Sequence, residues 1–147
     1  MNPVLKKLRF QEQNPVLILN SPKEFKEIEK EINSKIETDL SVKSEFILGF
    51  YKSIAEAEKD TEKIVKALEG DGYLWFCYPK GTSKKYKSDL NRTTVLQLFA
   101  PFDFEGVTQV AVDEDWSAMR VRYVDNIKVM KRKTAMSEKG KERIKKQ

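Results

Sequence analysis

The chain has 147 residues, 39% of them hydrophobic, 10% aromatic and 35% charged, which is the length of one domain with enough apolar material for a core beneath a charged surface. Its net charge is +5, and this composition excludes collagen-like and wholly disordered chains. The lack of histidine removes Ser-His and Cys-His catalysis and most transition-metal sites, while the lone Cys77 excludes an intrachain disulfide and any multi-cysteine metal site.

In chain order, residues 16–19 (Val-Leu-Ile-Leu) form a short, wholly apolar run, the pattern of a strand covered on both faces. Ser21, Pro22 and Glu24 then spell a capping box with proline at the first helical position, and Phe25, Ile28, Ile32 and Ile36 follow at helical spacing. Ile36 can also belong to the next element, a short edge strand over 35–39. The pattern repeats: an apolar strand over 46–51 precedes a second capping box, Ser53 with Glu56. The helix it opens carries Ile54, Ala57, Ile64, Val65 and Leu68 and is expected to stop at Gly70-Asp71-Gly72. A third apolar strand spans 73–78, closed by Pro79. Asp89 is positioned to cap a further helix bearing Val95, Leu96, Leu98 and Phe99. Residues 107–112 and 118–124 are separated by too few residues for a parallel crossover, so they are expected to form an antiparallel hairpin.

Apolar strands alternating with amphipathic helices predict an α/β, three-layer Rossmann-like domain. Its sheet should be mostly parallel and end in the hairpin. The domain is expected to cover residues 1–127. Residues 128–147 hold nine Lys or Arg against Glu138 and Glu142, and beyond residue 131 the only apolar side chains are Ala135, Met136 and Ile144. They are expected to form a basic tail, disordered or transiently helical, serving as a solubilising terminus or a nucleic-acid-binding arm. No run approaches the length of a membrane span and no signal peptide is apparent, so the expectation is a soluble, cytoplasmic protein without a membrane partner.

In such a sheet ligands bind beyond the carboxyl ends of the strands. That rim should carry Asn20, Lys52 and Lys80. The turn after the first strand reads Asn20-Ser21-Pro22 and lacks the glycines that bring backbone amides close to a pyrophosphate, which counts against a conventional nicotinamide, flavin or S-adenosylmethionine site. The loop 80–87 holds Lys80, Lys84, Lys85 and Lys87 with no acid, and Arg92 opens the next helix. These cations are either solvated surface or an anion-binding rim, and the candidate ligand site joins Lys80 and Arg92 in one pocket walled by Trp116, with Asn20 and Lys52 nearby. Asp113, Glu114 and Asp115 read as a polar turn, since their spacing fits no calcium loop. Trp116 caps the core or lies over Lys80 or Arg120, and Cys77, inside a buried strand, reads as structural. No residue is nominated as catalytic or as a metal ligand, and the sequence names no cofactor.

Taken together, residues 16–22, Trp75 with Tyr78-Pro79-Lys80, Asp89-Leu90 and the acidic-Trp-Ser stretch 113–117 resemble a family of short bacterial Rossmann-like domains of unknown function. Tyr78 stands where that family tends to have Trp. The resemblance spans roughly residues 5–124 and implies a single Rossmann-like domain, with no reaction attached. The layout is also similar to a reduced methyltransferase fold without its cofactor loop. The leading expectation is a ligand-binding module for a small anion. The alternatives are a degenerate nucleotide- or S-adenosylmethionine-related enzyme and a nucleic-acid accessory protein acting through the tail.

Overall fold

The computed structural model describes residues 1–127 and 135–146. Six strands, β1 (Val16–Leu19), β2 (Ile36–Glu37), β3 (Ser44–Phe50), β4 (Leu68–Pro79), β5 (Phe104–Ala111) and β6 (Trp116–Tyr123), form one sheet in the order β2-β1-β3-β4-β6-β5. The pairs β1–β2, β1–β3 and β3–β4 are parallel. β6 is antiparallel to both of its neighbours, so β5 runs in the same direction as β1 to β4. The sheet is therefore mostly parallel and ends in the expected hairpin, with β6 inserted between β4 and β5 and β5 outermost.

The helices are α1 (Pro3–Lys7), α2 (Lys26–Glu29), α3 (Ile54–Glu58), α4 (Thr61–Ala67), α5 (Arg92–Phe99) and α6 (Glu138–Lys146). On one face Ala57, Ile64, Ala67, Val95 and Phe99 pack over Leu17, Ile47, Phe76 and Val121. On the other, Leu5, Leu8, Phe25 and Ile32 pack over Ile18, Phe46, Trp75 and Ala118. All four residues of β1 are buried, as its unbroken apolar run requires. The indole N–H of Trp75 donates to the Leu8 carbonyl at 2.8 Å, tying the N-terminal segment to the middle of the sheet.

Several local expectations are corrected. No capping box forms at Ser21: its hydroxyl donates to Glu29 instead, and Pro22 leads into a 3-10 turn, Lys23–Phe25, that continues for only four residues as α2. Ser53 does cap α3, accepting from the Glu56 amide, but that helix ends at Glu58 and a separate helix, α4, follows. The glycines at 70 and 72 do not stop a helix; they lie within β4, which begins at Leu68. Gly70 has φ +56, and a Cβ on Gly72 would meet the Glu45 carbonyl oxygen at 2.5 Å, so these residues allow the β3–β4 pairing to change register. Asn91, not Asp89, caps α5, exchanging bonds with Thr94; Asp89 accepts from the Ile54 amide at the start of α3. The hairpin strands begin earlier than predicted, at Phe104 and Trp116.

Glu24, freed from any capping role, accepts from the Trp116 indole at 3.1 Å, from the Tyr86 hydroxyl at 2.8 Å and from the Lys85 ammonium. Partial burial pushes its carboxyl up, but the bonds from Lys85, Tyr86 and Trp116 outweigh that and hold it at about 2.

The tail departs from expectation over residues 135–146; the expectation for residues 128–134 and 147 lies outside the described residues. Buried Glu105 accepts from the Met136 and Ser137 amides at 3.1 and 2.6 Å. Lys139 pairs with Asp125, and Arg143 donates to the Val124 carbonyl. Ile144 packs against Val124 and Ile127. The docking is mainly polar, which is why a count of apolar residues does not anticipate it.

Two predictions follow from these carboxylates. Glu105→Ala should cost about 1–3 kcal/mol in urea denaturation, because the Met136 and Ser137 amides lose a buried acceptor, and amide exchange along α6 should accelerate. Because the folded-state value of Glu24 lies below the ordinary 4.5, its contribution is complete above that pH and fades as pH falls toward 2. The stability gap between wild type and Glu24→Gln should therefore be full at neutral pH and shrink over that acid range.

Candidate functional site

The carboxyl end of β4 passes into a loop that returns to the body at several points before α5. The Lys80 amide donates to the Asp115 carbonyl at 2.8 Å, Ser88 donates to the Lys52 carbonyl at 2.6 Å, and Asp89 holds the first amide of α3. These bonds arch the loop over the end of β3 and bring its two ends together. Between them lies a recess of about 290 Å³ whose lining includes Tyr78, Lys80, Asn91, Arg92, Gln109 and Ser117. Lys80 and Arg92 both line this recess, and no carboxylate lines it among the described residues.

The polar groups of the recess are oriented by Gln109. Its side-chain amide nitrogen donates to the Tyr78 hydroxyl oxygen at 2.9 Å and to the Ser117 hydroxyl oxygen at 3.0 Å. With both oxygens acting as acceptors, at least one hydroxyl proton is left to be offered to a ligand. Burial pushes the Tyr78 hydroxyl above its ordinary value, while the Ser117 bond and the charge of Arg92 pull it partly back, so it is a protonated donor at neutral pH. The arrangement can bind an oxyanion: two cations and a hydroxyl donor face a space without a competing negative group.

Trp116 does not wall this recess. Side chains alternate across a strand, so Ser117 turns toward the recess and Trp116 toward the opposite face. There its ring is buried, edge-on to Phe50 at 5.3 Å and near Tyr86 at 5.2 Å, with its indole nitrogen on Glu24. It lies over neither Lys80 nor Arg120. Lys52 is also elsewhere, its ammonium 4.9 Å from the centre of the Tyr86 ring. Asn20 has φ +54 at the end of β1 and lies outside the recess lining.

Asn20 and Tyr51 mark the point where the strand order reverses, between β1 and β3. Tyr51 is fully buried there, stacked on Phe76 at 5.3 Å and 8°, and donates to Asp60 at 2.7 Å. Burial and Asp60 push its hydroxyl well above the ordinary range. The acidic cluster builds the hairpin turn: Asp113 accepts from the Asp115 and Trp116 amides, and Asp115 accepts from Ser83. Cys77 is buried, and burial pushes its thiol up, away from nucleophilic reactivity. Tyr78, Ser117 and Gln109 were not candidates on sequence grounds. The alternation of β5 and β6 was the signal that could have found the last two, once the hairpin register was known.

No family model matches the chain, and the search of curated proteins finds no relative. Among solved structures, the N-methyltransferase NodS of Bradyrhizobium japonicum WM9 in complex with S-adenosyl-L-homocysteine is similar, with a TM-score of 0.50 and 13% identity over 84% of this chain and 89% of that one. A second structure of NodS gives 0.48 and 13% over 83% and 97%, and TehB of Haemophilus influenzae gives 0.45 and 8% over 82% and 61%. With its inserted antiparallel strand and helices on both faces, the chain has an α/β methyltransferase fold.

Proposed function

We propose that the chain is a methyltransferase-fold binding module that holds a small oxyanion-bearing ligand in the recess at the end of β4. The observation that carries this reading is that Lys80, Arg92 and the hydroxyls ordered by Gln109 face one space with no carboxylate in its described lining. In this reading Lys80 and Arg92 supply charge, Arg92 from the first position of α5, and Tyr78 supplies a directional donor.

A second reading, an S-adenosylmethionine-related enzyme, is favoured over the first by the fold likeness to NodS. Glu37, ending β2 beside the switch point, also stands where an acidic residue can reach a ribose hydroxyl, although it is paired with Lys35 at 2.9 Å. The other residues at that point do not fit such a cofactor. Pro22 offers no amide, no glycine precedes it, and the buried Tyr51 ring occupies the crevice against Phe76. No reaction step is derived for this chain.

At matched ionic strength, phosphate or sulfate should raise the wild-type melting temperature relative to chloride. An anion at about 100 times its dissociation constant adds about 2.7 kcal/mol. Lys80→Ala and Arg92→Ala should abolish most of that rise, and Tyr78→Phe should reduce it. Equal responses in all four proteins, with micromolar S-adenosylmethionine affinity in calorimetry, would replace this reading with the second.

A further inference from the structure

On the opposite face of the sheet, a groove of about 730 Å³ runs between α1 and β5 and is lined by Pro3, Lys6, Lys7, Arg9, Thr108 and Val110. Its apolar floor is edged by three cations, and no carboxylate lines it among the described residues. Lys7 is held in place by donating to the Ala111 carbonyl at 2.6 Å. Arg9 has φ +61, a left-handed conformation unfavourable for a long side chain. Such strain is retained where surrounding structure imposes it, and it concentrates at binding sites.

A fourth cation stands beside the groove. Arg120 lies directly opposite Thr108 in the β5–β6 register, so both begin on the same face of the sheet. Its guanidinium is 3.9 Å from the centre of the Tyr73 ring, and its buried Nε–H has no acceptor among the described residues. Burial weighs against its charged form, as do Arg122 and Arg9; Tyr73 and Asp71 favour it. Both oxygens of Asp71 are already engaged by Arg122, one with Nε and one with Nη2. A planar guanidinium with an unused donor, near uncompensated cations, has the chemistry that takes a phosphate.

We propose that this groove is a second, separate site that binds a phosphate group of a ligand, contacted by Lys6, Arg9 and Arg120. It does not depend on the recess at the end of β4, which opens on the other face of the sheet, where Gln109 points while its neighbours Thr108 and Val110 line the groove.

The test is a heteronuclear NMR titration of the full chain with pyrophosphate and, in parallel, with a short single-stranded thymidine oligonucleotide, each against chloride at matched ionic strength. The Arg120 Nε–H and the Arg9 and Thr108 amides should shift and saturate. The paired change Lys6→Gln and Arg9→Gln, both at exposed positions, should weaken binding roughly tenfold or more. Arg120→Lys, which keeps the charge but loses the planar donor set, should weaken it as well. Lys80→Ala with Arg92→Ala should leave these shifts intact. Saturation with pyrophosphate assigns the phosphate to a small molecule, and saturation with the oligonucleotide alone assigns it to a nucleic-acid backbone. The proposal is overturned if neither probe moves these resonances, if Lys6→Gln with Arg9→Gln binds as tightly as wild type, or if the shifts vanish with Lys80 and Arg92.

Discussion

The carboxyl rim of the sheet is organised around Glu24, whose carboxylate receives an indole N–H from β6, a phenol from the loop after β4 and an ammonium from that same loop. Each donor comes from a segment far from Glu24 in sequence, so one side chain sets where the loop and the hairpin lie relative to the turn after β1. A charged acceptor suits this task because hydrogen bonds to an ionised group are stronger and more directional than neutral ones. The shallow 3-10 turn at Lys23–Phe25 brings the carboxylate over the edge of the apolar layer while Phe25 below it packs on Phe50.

The loop between β4 and α5 thereby divides its charges. Lys85 is neutralised by Glu24, whereas Lys80, pinned through its own amide to the Asp115 carbonyl, remains on the side facing Arg92. The hairpin makes the same division through the two-residue period of a strand, sending Trp116 into the apolar layer and Ser117 into the recess. A shift of register by one residue would exchange them, burying a hydroxyl and exposing an indole. The stacked apolar pairs of β6, Ala118 on one face and Met119 and Val121 on the other, oppose that slip.

The architecture was legible where the pattern is strong and local. Residues 16–19 of β1 and 46–50 of β3 are continuous apolar runs, and the short connection after residue 112 required an antiparallel pair. The convergence of Lys80 and Arg92 followed from the same topology, since a strand end and the next helix start are neighbours in this class of sheet. What was not legible depends on tertiary choices between equivalent local options. Ser21 bonds Glu29 in place of a helix amide, and the Asp89 carboxylate accepts from the first amide of α3 in place of α5. The docking of residues 135–146 rests on Glu105, whose role cannot be read from a strand position that would ordinarily be apolar. Trp116 was misassigned because the hairpin was expected to begin two residues later, which left its face undetermined.

The insertion of β6 between β4 and β5 also bears on how the chain acquires its structure during synthesis. β1 to β4 can pair in the order in which they emerge, but the outer side of β4 then presents open backbone groups until residues 116–123 arrive, and β5 has no strand beside it before that moment. An unfinished or prematurely terminated chain would carry the apolar segment Leu74–Tyr78 at a bare sheet edge, the kind of surface that recruits strands from other molecules. Pairing of the open edge of β4 and protection from self-association are thus a single event, delivered when residues 116–123 leave the ribosome.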